Sequence, residues 1–384
     1  MRPRITSISV FLSWLFVSTV SSVLAQNATP SSKEFVLQKL PEVLEGQYID
    51  AVFYAKTKGE SPRPKIVLRN NSIDFLSPDG ALKNQIITVN ARFSDISSNG
   101  EFIGIRQMGF KLYNDEGMLL WQEAPYPDPY DTPGRLYRVS SKGVVCKVNR
   151  ASGTALFYSR QGNLIGEHVI VPGMSRTMDG VWSPDGDYFL ISAHTGYDDI
   201  IFLIEDTGKK VWEQRIKQKW AVEVKISPTS KWTFVRYNDF STRNFGALII
   251  STIDGTISQD FNNEDLIRPE FSHDGKLLLV KSRLSENLYG QRLILLDLES
   301  RNKRFETILR DRILDYKLWA DDNLIYVVHR TELLAMDLNG GIMKKIDLNS
   351  LAPSSSIKDA IHPASSANFL LLRTQQTISL FYVK

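Results

Sequence analysis

Cysteine occurs once in 384 residues and histidine five times. The single thiol, Cys146, lies in the apolar stretch Val144-Val145-Cys146-Lys147-Val148. It has no partner for an internal disulfide and reads as a buried structural thiol. No run of basic residues is present, and the formal net charge is only +3. That balance argues against nucleic acid as the main partner. No Gly-x-Ser-x-Gly elbow occurs, so the usual strand-to-helix mount of a nucleophilic serine is missing. After Pro64 no apolar pattern of helical period appears.

The one long apolar run, Ile5 to Val20, follows Arg2 and Arg4 and precedes the small-residue stretch Val23-Leu24-Ala25. Residues 1–25 therefore read as a secretory signal, with cleavage expected after Ala25. The run is too short and too rich in Ser for a membrane span, which needs about 20 apolar residues. No Cys follows it, so a lipid anchor on the new N-terminus is not expected. Removal of Arg2 and Arg4 leaves 44 basic residues against 43 acidic ones. The mature chain is expected to be periplasmic or secreted and not membrane-spanning. Residues 26–64 form a leader and a segment without a clear period. Phe35-Val36-Leu37 and Tyr48 to Tyr54 within it are candidate strands.

From residue 65 onward a turn between two apolar strands recurs every 43 to 48 residues, marked by Gly100, Gly143, Gly186, Ser230, Gly275, Asn323 and Ala367. Its clearest copies are Ser183-Pro184-Asp185-Gly186 and Ser272-His273-Asp274-Gly275. A second turn alternates with it at Gly80, Gly117, Gly162, Gly208, Gly255 and Gly340. Gly, Asn and Asp accept the positive φ that hairpin turns need. A period near 44 residues is that of a four-stranded blade, and a blade cannot bury its faces alone. Residues 65–384 are thus expected to form an all-β, seven-bladed β-propeller, with eight blades as the alternative count. The first turn joins the first and second strands of a blade, and the second turn joins the third and fourth. The order of turns predicts closure between N- and C-terminal strands, Leu82 to Val89 completing the blade of Phe369 to Tyr382.

The Ser-Pro-Asp-Gly copies, with Trp182 to Leu190 and Phe271 to Val280, resemble the repeats of TolB-like and WD-like periplasmic propellers. Asp115 to Trp121 and Asp206 to Trp212 resemble quinoprotein-type repeats, with one residue fewer between Asp and Gly. In such repeats the Trp docks between blades. The resemblance spans Asp74 to Lys384 and implies fold more than activity. Large quinoprotein dehydrogenases carry adjacent cysteines, and sialidase-type propellers carry Ser-x-Asp-x-Gly-x-Thr-Trp boxes. This chain has neither.

With both turns on one face, the connections from second to third strand, and from one blade to the next, share the other. Loops on a rigid scaffold commonly carry function. The longest here are Glu123 to Arg135, Glu167 to Asp179, Tyr237 to Gly246 and Ser282 to Gln291. They hold Tyr126, Tyr130, Tyr237, Arg243 and Tyr289, residue types that dominate protein-binding hot spots. Six residues after the turn markers stand Arg106, Arg236, Lys281, His329 and Arg373, which would form a partial cationic collar if they face inward. The densest polar constellation is His194-Thr195-Gly196-Tyr197-Asp198-Asp199. His194, Tyr197 and Asp198 join the candidate partner-binding residues. No residue is assigned as catalytic or as a metal ligand, and no cofactor is expected.

The reading these features favour is a non-catalytic module that binds a protein or a cell-envelope component. The alternative is a propeller enzyme or small-molecule binder, a lactonase-like hydrolase or an anion binder using the central funnel.

Overall fold

The computed structural model describes residues 37–39, 48–53, 64–69, 72–77, 81–88, 92–106, 109–124, 135–149, 152–170, 176–196, 198–283, 291–309, 313–319, 323–329, 332–348, 359–361, 369–373 and 378–383. Residues 1–25, expected to be a signal, lie outside them. No helix among the described residues is long and apolar enough to cross a membrane.

Thirty-two strands form eight four-stranded antiparallel sheets among the described residues. The first strand, β1 (Leu37–Lys39), belongs to the last sheet. Sheet 1 contains β2 (Tyr48–Phe53), β3 (Pro64–Arg69), β4 (Ser72–Leu76) and β5 (Leu82–Ile87). Sheet 2 contains β6 (Arg92–Ile96), β7 (Phe102–Arg106), β8 (Phe110–Asn114) and β9 (Leu119–Gln122). Sheet 3 contains β10 (Arg135–Val139), β11 (Val145–Asn149), β12 (Thr154–Tyr158) and β13 (Leu164–Val169). Sheet 4 contains β14 (Arg176–Trp182), β15 (Tyr188–His194), β16 (Asp199–Glu205) and β17 (Lys210–Ile216). Sheet 5 contains β18 (Lys219–Ile226), β19 (Trp232–Asp239), β20 (Phe245–Ser251) and β21 (Ile257–Phe261). Sheet 6 contains β22 (Leu266–Phe271), β23 (Leu277–Arg283), β24 (Gln291–Asp297) and β25 (Asn302–Leu309). Sheet 7 contains β26 (Asp315–Trp319), β27 (Leu324–Val328), β28 (Glu332–Asp337) and β29 (Ile342–Asp347). Sheet 8 joins β30 (Asp359–Ile361), β31 (Phe369–Arg373) and β32 (Ile378–Val383) to β1.

The all-β propeller class expected from the repeat is the one observed, and the sheet count is the larger of the two the repeat allowed. The closure differs from expectation. Leu82–Ile87 pairs with β4 as the outer strand of its own sheet, not with Phe369–Tyr382. Sheet 8 is completed by β1, in the register Leu37↔Val383 and Lys39↔Phe381. Sheet 1 takes its first strand, β2, from the same aperiodic stretch. A strand recruited to a free sheet edge needs matching hydrogen bonds and no turn motif, so it leaves no repeat signature.

The chain divides into two units. One holds residues 1–90, 330–332 and 346–384, and with them sheets 1 and 8. The other, residues 91–329 and 333–345, carries sheets 2 to 7. In this larger unit the second and third strands of most sheets are buried on both faces, β12, where half-buried and buried residues alternate, excepted. β16, for example, is buried from Asp199 to Ile204. The outer strands β9, β13 and β29 are largely exposed. Successive cores are built between neighbouring sheets, as where Cys146, Phe157 and Trp182 pack with Phe189, Ile191 and Phe202.

The repeat motif is explained by one turn. The N–H of its fourth residue bonds the carbonyl of its first, from Gly100 to Ser97, Gly143 to Ser140, Gly186 to Ser183, Ser230 to Ser227 and Gly275 to Ser272, at 2.9–3.0 Å. The first-position hydroxyl, buried in all five of these copies, accepts a further backbone N–H, as from Tyr188 to Ser183 at 2.9 Å and Leu277 to Ser272 at 2.9 Å. The fourth residue has φ between +54° and +78°, hence the preference for Gly. These turns also bond one another: Ser98 Oγ donates to the Pro184 carbonyl at 2.9 Å, Asn99 Nδ2 to that of Ser141 at 2.9 Å, and Ser230 Oγ to Asp185 Oδ2 at 2.7 Å. These bonds tie neighbouring turns of this face to one another.

Neighbouring sheets dock through their outer strands. Trp212 of β17 lies under the turn of the next sheet, where a Cβ on Gly255 would stand 2.8 Å from the indole Cδ2. Its Nε1 donates to the Thr252 carbonyl at 2.8 Å. Trp121 sits likewise under Gly162, and Phe305 under Gly340, each 3.0 Å from the position of the missing Cβ.

Candidate functional site

The opposite face of sheets 4 and 5 brings together three of the sequence-predicted residues, His194, Asp198 and Arg243. His194 ends β15 and Asp199 opens β16, and the two are directly paired across the hairpin. The turn between them is closed by Thr195 N and Thr195 Oγ1, which donate to the Asp198 carbonyl at 2.8 and 2.9 Å. His194 Nδ1 stands 2.6 Å from Asp199 Oδ1, and Asp199 Oδ2 accepts the N–H of Ala221 from the next sheet at 2.7 Å. Asp199 is fully buried, and that burial raises its carboxyl above the ordinary range despite these two hydrogen bonds.

The link between sheets 4 and 5 is only Lys217-Gln218. Gln218 is held from both sides: its N–H donates to Asp198 Oδ1 at 2.9 Å, and its carbonyl accepts the Phe240 N–H at 2.9 Å. The bond from Gln218, with help from Arg215 Nη1 at 3.4 Å, holds the Asp198 carboxyl below its usual range. The hairpin of sheet 5 is closed by Asp239, which accepts from Ser241 Oγ at 2.6 Å and Ser241 N at 2.8 Å. Those contacts, from the Ser241 hydroxyl above all, likewise depress its pKa.

This backbone scaffold brings three rings together. His194 lies 5.8 Å from Trp220 and 6.0 Å from Phe240, and Trp220 and Phe240 stack at 6.2 Å with 21° between planes. His194 has 17% of its side chain exposed and Phe240 is 39% exposed, so the cluster has a wet apolar edge. Arg243, at φ +60°, and Lys217 are exposed beside it. The arrangement suits recognition: aromatic surface, oriented imidazole and outward cations on a hydrogen-bonded frame. Among the described residues no group of three or more His, Cys, Asp or Glu could hold a metal ion.

The other candidates are placed differently. Tyr237 is fully buried, its hydroxyl donating to Asp260 Oδ1 at 2.7 Å and its ring 4.0 Å from Lys219 Nζ. It belongs to the core beneath the loop, not to the loop surface. Of the collar residues, Lys281 is buried and donates to the Ile313 carbonyl at 3.2 Å, and His329 is buried as well. Arg236 forks onto Asp265 Oδ1 at 2.9 and 2.7 Å and lies over the Phe245 ring. Arg106 ends β7, partly buried. Lys281 and Arg236 are thus engaged within the protein by a backbone carbonyl and a carboxylate. Arg373 ends β31, its side chain outside the described residues, as are Tyr126, Tyr130, Tyr197 and Tyr289. Sequence reading gave Trp220 no role, since a Trp near a strand start signals core as readily as surface.

No family model matches the chain, and no curated protein matches it. The solved structures it is similar to are β-propellers, and that class the fold defines. BamB from Moraxella catarrhalis superposes with a TM-score of 0.54 at 11% identity, over 90% of this chain and 100% of that one. The C-terminal WD40 domain of Sif2 gives 0.54 at 12% identity, over 83% of this chain and 93% of that one. Sqt1 from Saccharomyces cerevisiae gives 0.51 at 10% identity, over 83% and 93%. At such identities the likeness is one of fold.

Proposed function

We propose that this propeller is a non-catalytic recognition module, periplasmic or secreted, which binds a protein or envelope component through the face opposite its repeat turns. The observation that carries this reading is the His194–Trp220–Phe240 cluster, a partly exposed aromatic surface held by hydrogen bonds from two sheets. Basic groups on the first strands support it from the other side, because they are engaged within the protein. Arg138 Nε donates to the Gly180 carbonyl at 2.8 Å, Lys225 Nζ donates to that of Pro269 at 2.8 Å, and Lys317 pairs with Glu270. The export half of the reading rests on the sequence of residues 1–25.

A photo-crosslinking residue placed at Phe240, and for comparison at Ile253 in the turn of the opposite face, tests the assignment in cells. Adducts are expected at Phe240 and not at Ile253. Equal adducts at both, or none at Phe240, would refute it.

A further inference from the structure

We infer that the partner engaged here is an acidic polypeptide segment with one aromatic or long aliphatic side chain, which seats on Phe240 and Trp220 while its carboxylates meet Arg243 and Lys217. This rests on the binding reading above and names the chemistry of the partner.

The charges around the rings are asymmetric in what they have left to give. The carboxylates are engaged within the protein, and the two that keep clear exposure, Asp198 and Asp260, are each paired with a cation, Arg215 and Lys219. Asp199 takes His194 and the Ala221 N–H, Asp198 takes the Gln218 N–H, Asp239 takes Ser241, and Asp260 takes the Tyr237 hydroxyl and Lys219 Nζ. Arg243 and Lys217 are exposed and form no ion pair among the described residues. Both stand next to the rings. Arg243 shares its turn with Phe240, and Lys217 precedes the residue whose carbonyl accepts the Phe240 N–H. An approaching partner therefore meets two cations outside any ion pair among the described residues, while the partly exposed carboxylates Asp198 and Asp260 are each balanced by a cation, Arg215 and Lys219. That positive excess steers an acidic segment and disfavours a basic one.

Hydrogen-bonding capacity separates a polypeptide from a simple anion. Trp220 and Asn238 face each other across β18 and β19. Trp220 Nε1 and Asn238 Oδ1 are covered and make no hydrogen bond among the described residues. One is a donor and the other an acceptor, and a peptide backbone supplies both complements at once. Inorganic phosphate at neutral pH answers mainly the donor, and an alkyl chain neither. Phe240, half-exposed beside the indole, is the side chain that would turn to admit the segment.

The test uses the full chain, immobilised, and a phage-displayed library of random dodecapeptides. Enriched sequences are expected to be net acidic and to contain Phe, Trp, Tyr or Leu. Their synthetic forms should lose about 30-fold or more in affinity to Phe240→Ala, the scale of a buried hot spot. They should lose about tenfold or more to the Lys217→Glu/Arg243→Glu pair, together with most of their salt dependence. Both variants alter exposed side chains, and an unchanged urea midpoint confirms that they fold. Neutral or basic enriched peptides, acidic ones indifferent to both variants, displacement by inorganic phosphate alone, or no enrichment would each overturn the inference. If Phe240 still crosslinks in cells, the binding face stands and only the acidic partner falls; if it does not, both fall.

Discussion

Trp212 offers the sharpest test of how the sheets of the larger unit are held together. Its indole is 8% exposed, fills the space that a side chain at Gly255 would occupy, and donates to the Thr252 carbonyl at 2.8 Å. Truncating such a residue to Ala costs roughly 3–5 kcal/mol. The lost hydrogen bond accounts for about 1 kcal/mol of that. Trp212→Phe, which keeps one ring but loses the donor and part of the buried bicycle, should cost less, about 2–3 kcal/mol. Gly255 has φ +73°, and its missing Cβ would stand 2.8 Å from the indole. Gly255→Ala thus carries a left-handed backbone penalty of about 1–2 kcal/mol and an overpacking penalty of about 1–3 kcal/mol. In the Trp212→Ala background only the backbone penalty remains, so the two substitutions should couple by about 1–3 kcal/mol. Urea denaturation followed by far-ultraviolet circular dichroism reads the backbone and is insensitive to the loss of one indole. Additive costs, or a Trp212→Phe variant as unstable as Trp212→Ala, would refute the docking argument.

Gly166 tests the same interface one sheet earlier, where an added Cβ would lie 1.8 Å from the Thr207 carbonyl oxygen. Backbone must move to admit it, so Gly166→Ala is expected to cost on the order of 3 kcal/mol or more in a urea titration, and a neutral result would contradict the close approach. Asp315 gives a pH test. Burial pushes its carboxyl up to about 6, against the hydrogen bond from the Tyr316 N–H and the nearby Arg268. The folded state therefore holds the proton more tightly than the unfolded chain, and the Asp315 contribution to stability falls as pH rises from about 4 to about 6. With a quarter of the side chain exposed, the loss is about 1–3 kcal/mol. Asp315→Asn should flatten that slope and be the more stable form at pH 7; an unchanged slope in urea midpoints between pH 4 and 7 would dismiss the assignment.

The parts of the fold that could be read in advance were those with a local chemical reason. Ser183 and Gly186, or Ser272 and Gly275, are dictated by one turn that needs a buried hydroxyl at its first position and a positive φ at its fourth. The docking of Trp121 and Trp212 was implied by the resemblance of their repeats to quinoprotein-type ones. The segments of β1 and β2 were legible as candidate strands, but not which sheets they complete, because completing an edge needs only a register, which Leu37–Lys39 supplies without any motif. At the candidate site the density of polar residues from His194 to Asp199 was visible, whereas the contact of His194 with Trp220 and Phe240 was not. Those residues lie 26 and 46 positions further along. The short Lys217-Gln218 link with its two hydrogen bonds, and the bond from Ala221 N to Asp199, bring them together.

Sequence by itself determined the repeating turn, the all-β class and the face on which the connecting loops emerge, since each follows from backbone conformation and period within one repeat. Tertiary structure alone decided which strands complete sheets 1 and 8, and that Tyr237, Lys281 and His329 are interior while Phe240, Arg243 and Lys217 look outward. The difference is physical. A turn is a property of four adjacent residues, but the direction in which a strand-end side chain points is settled by whichever neighbouring sheet packs against it.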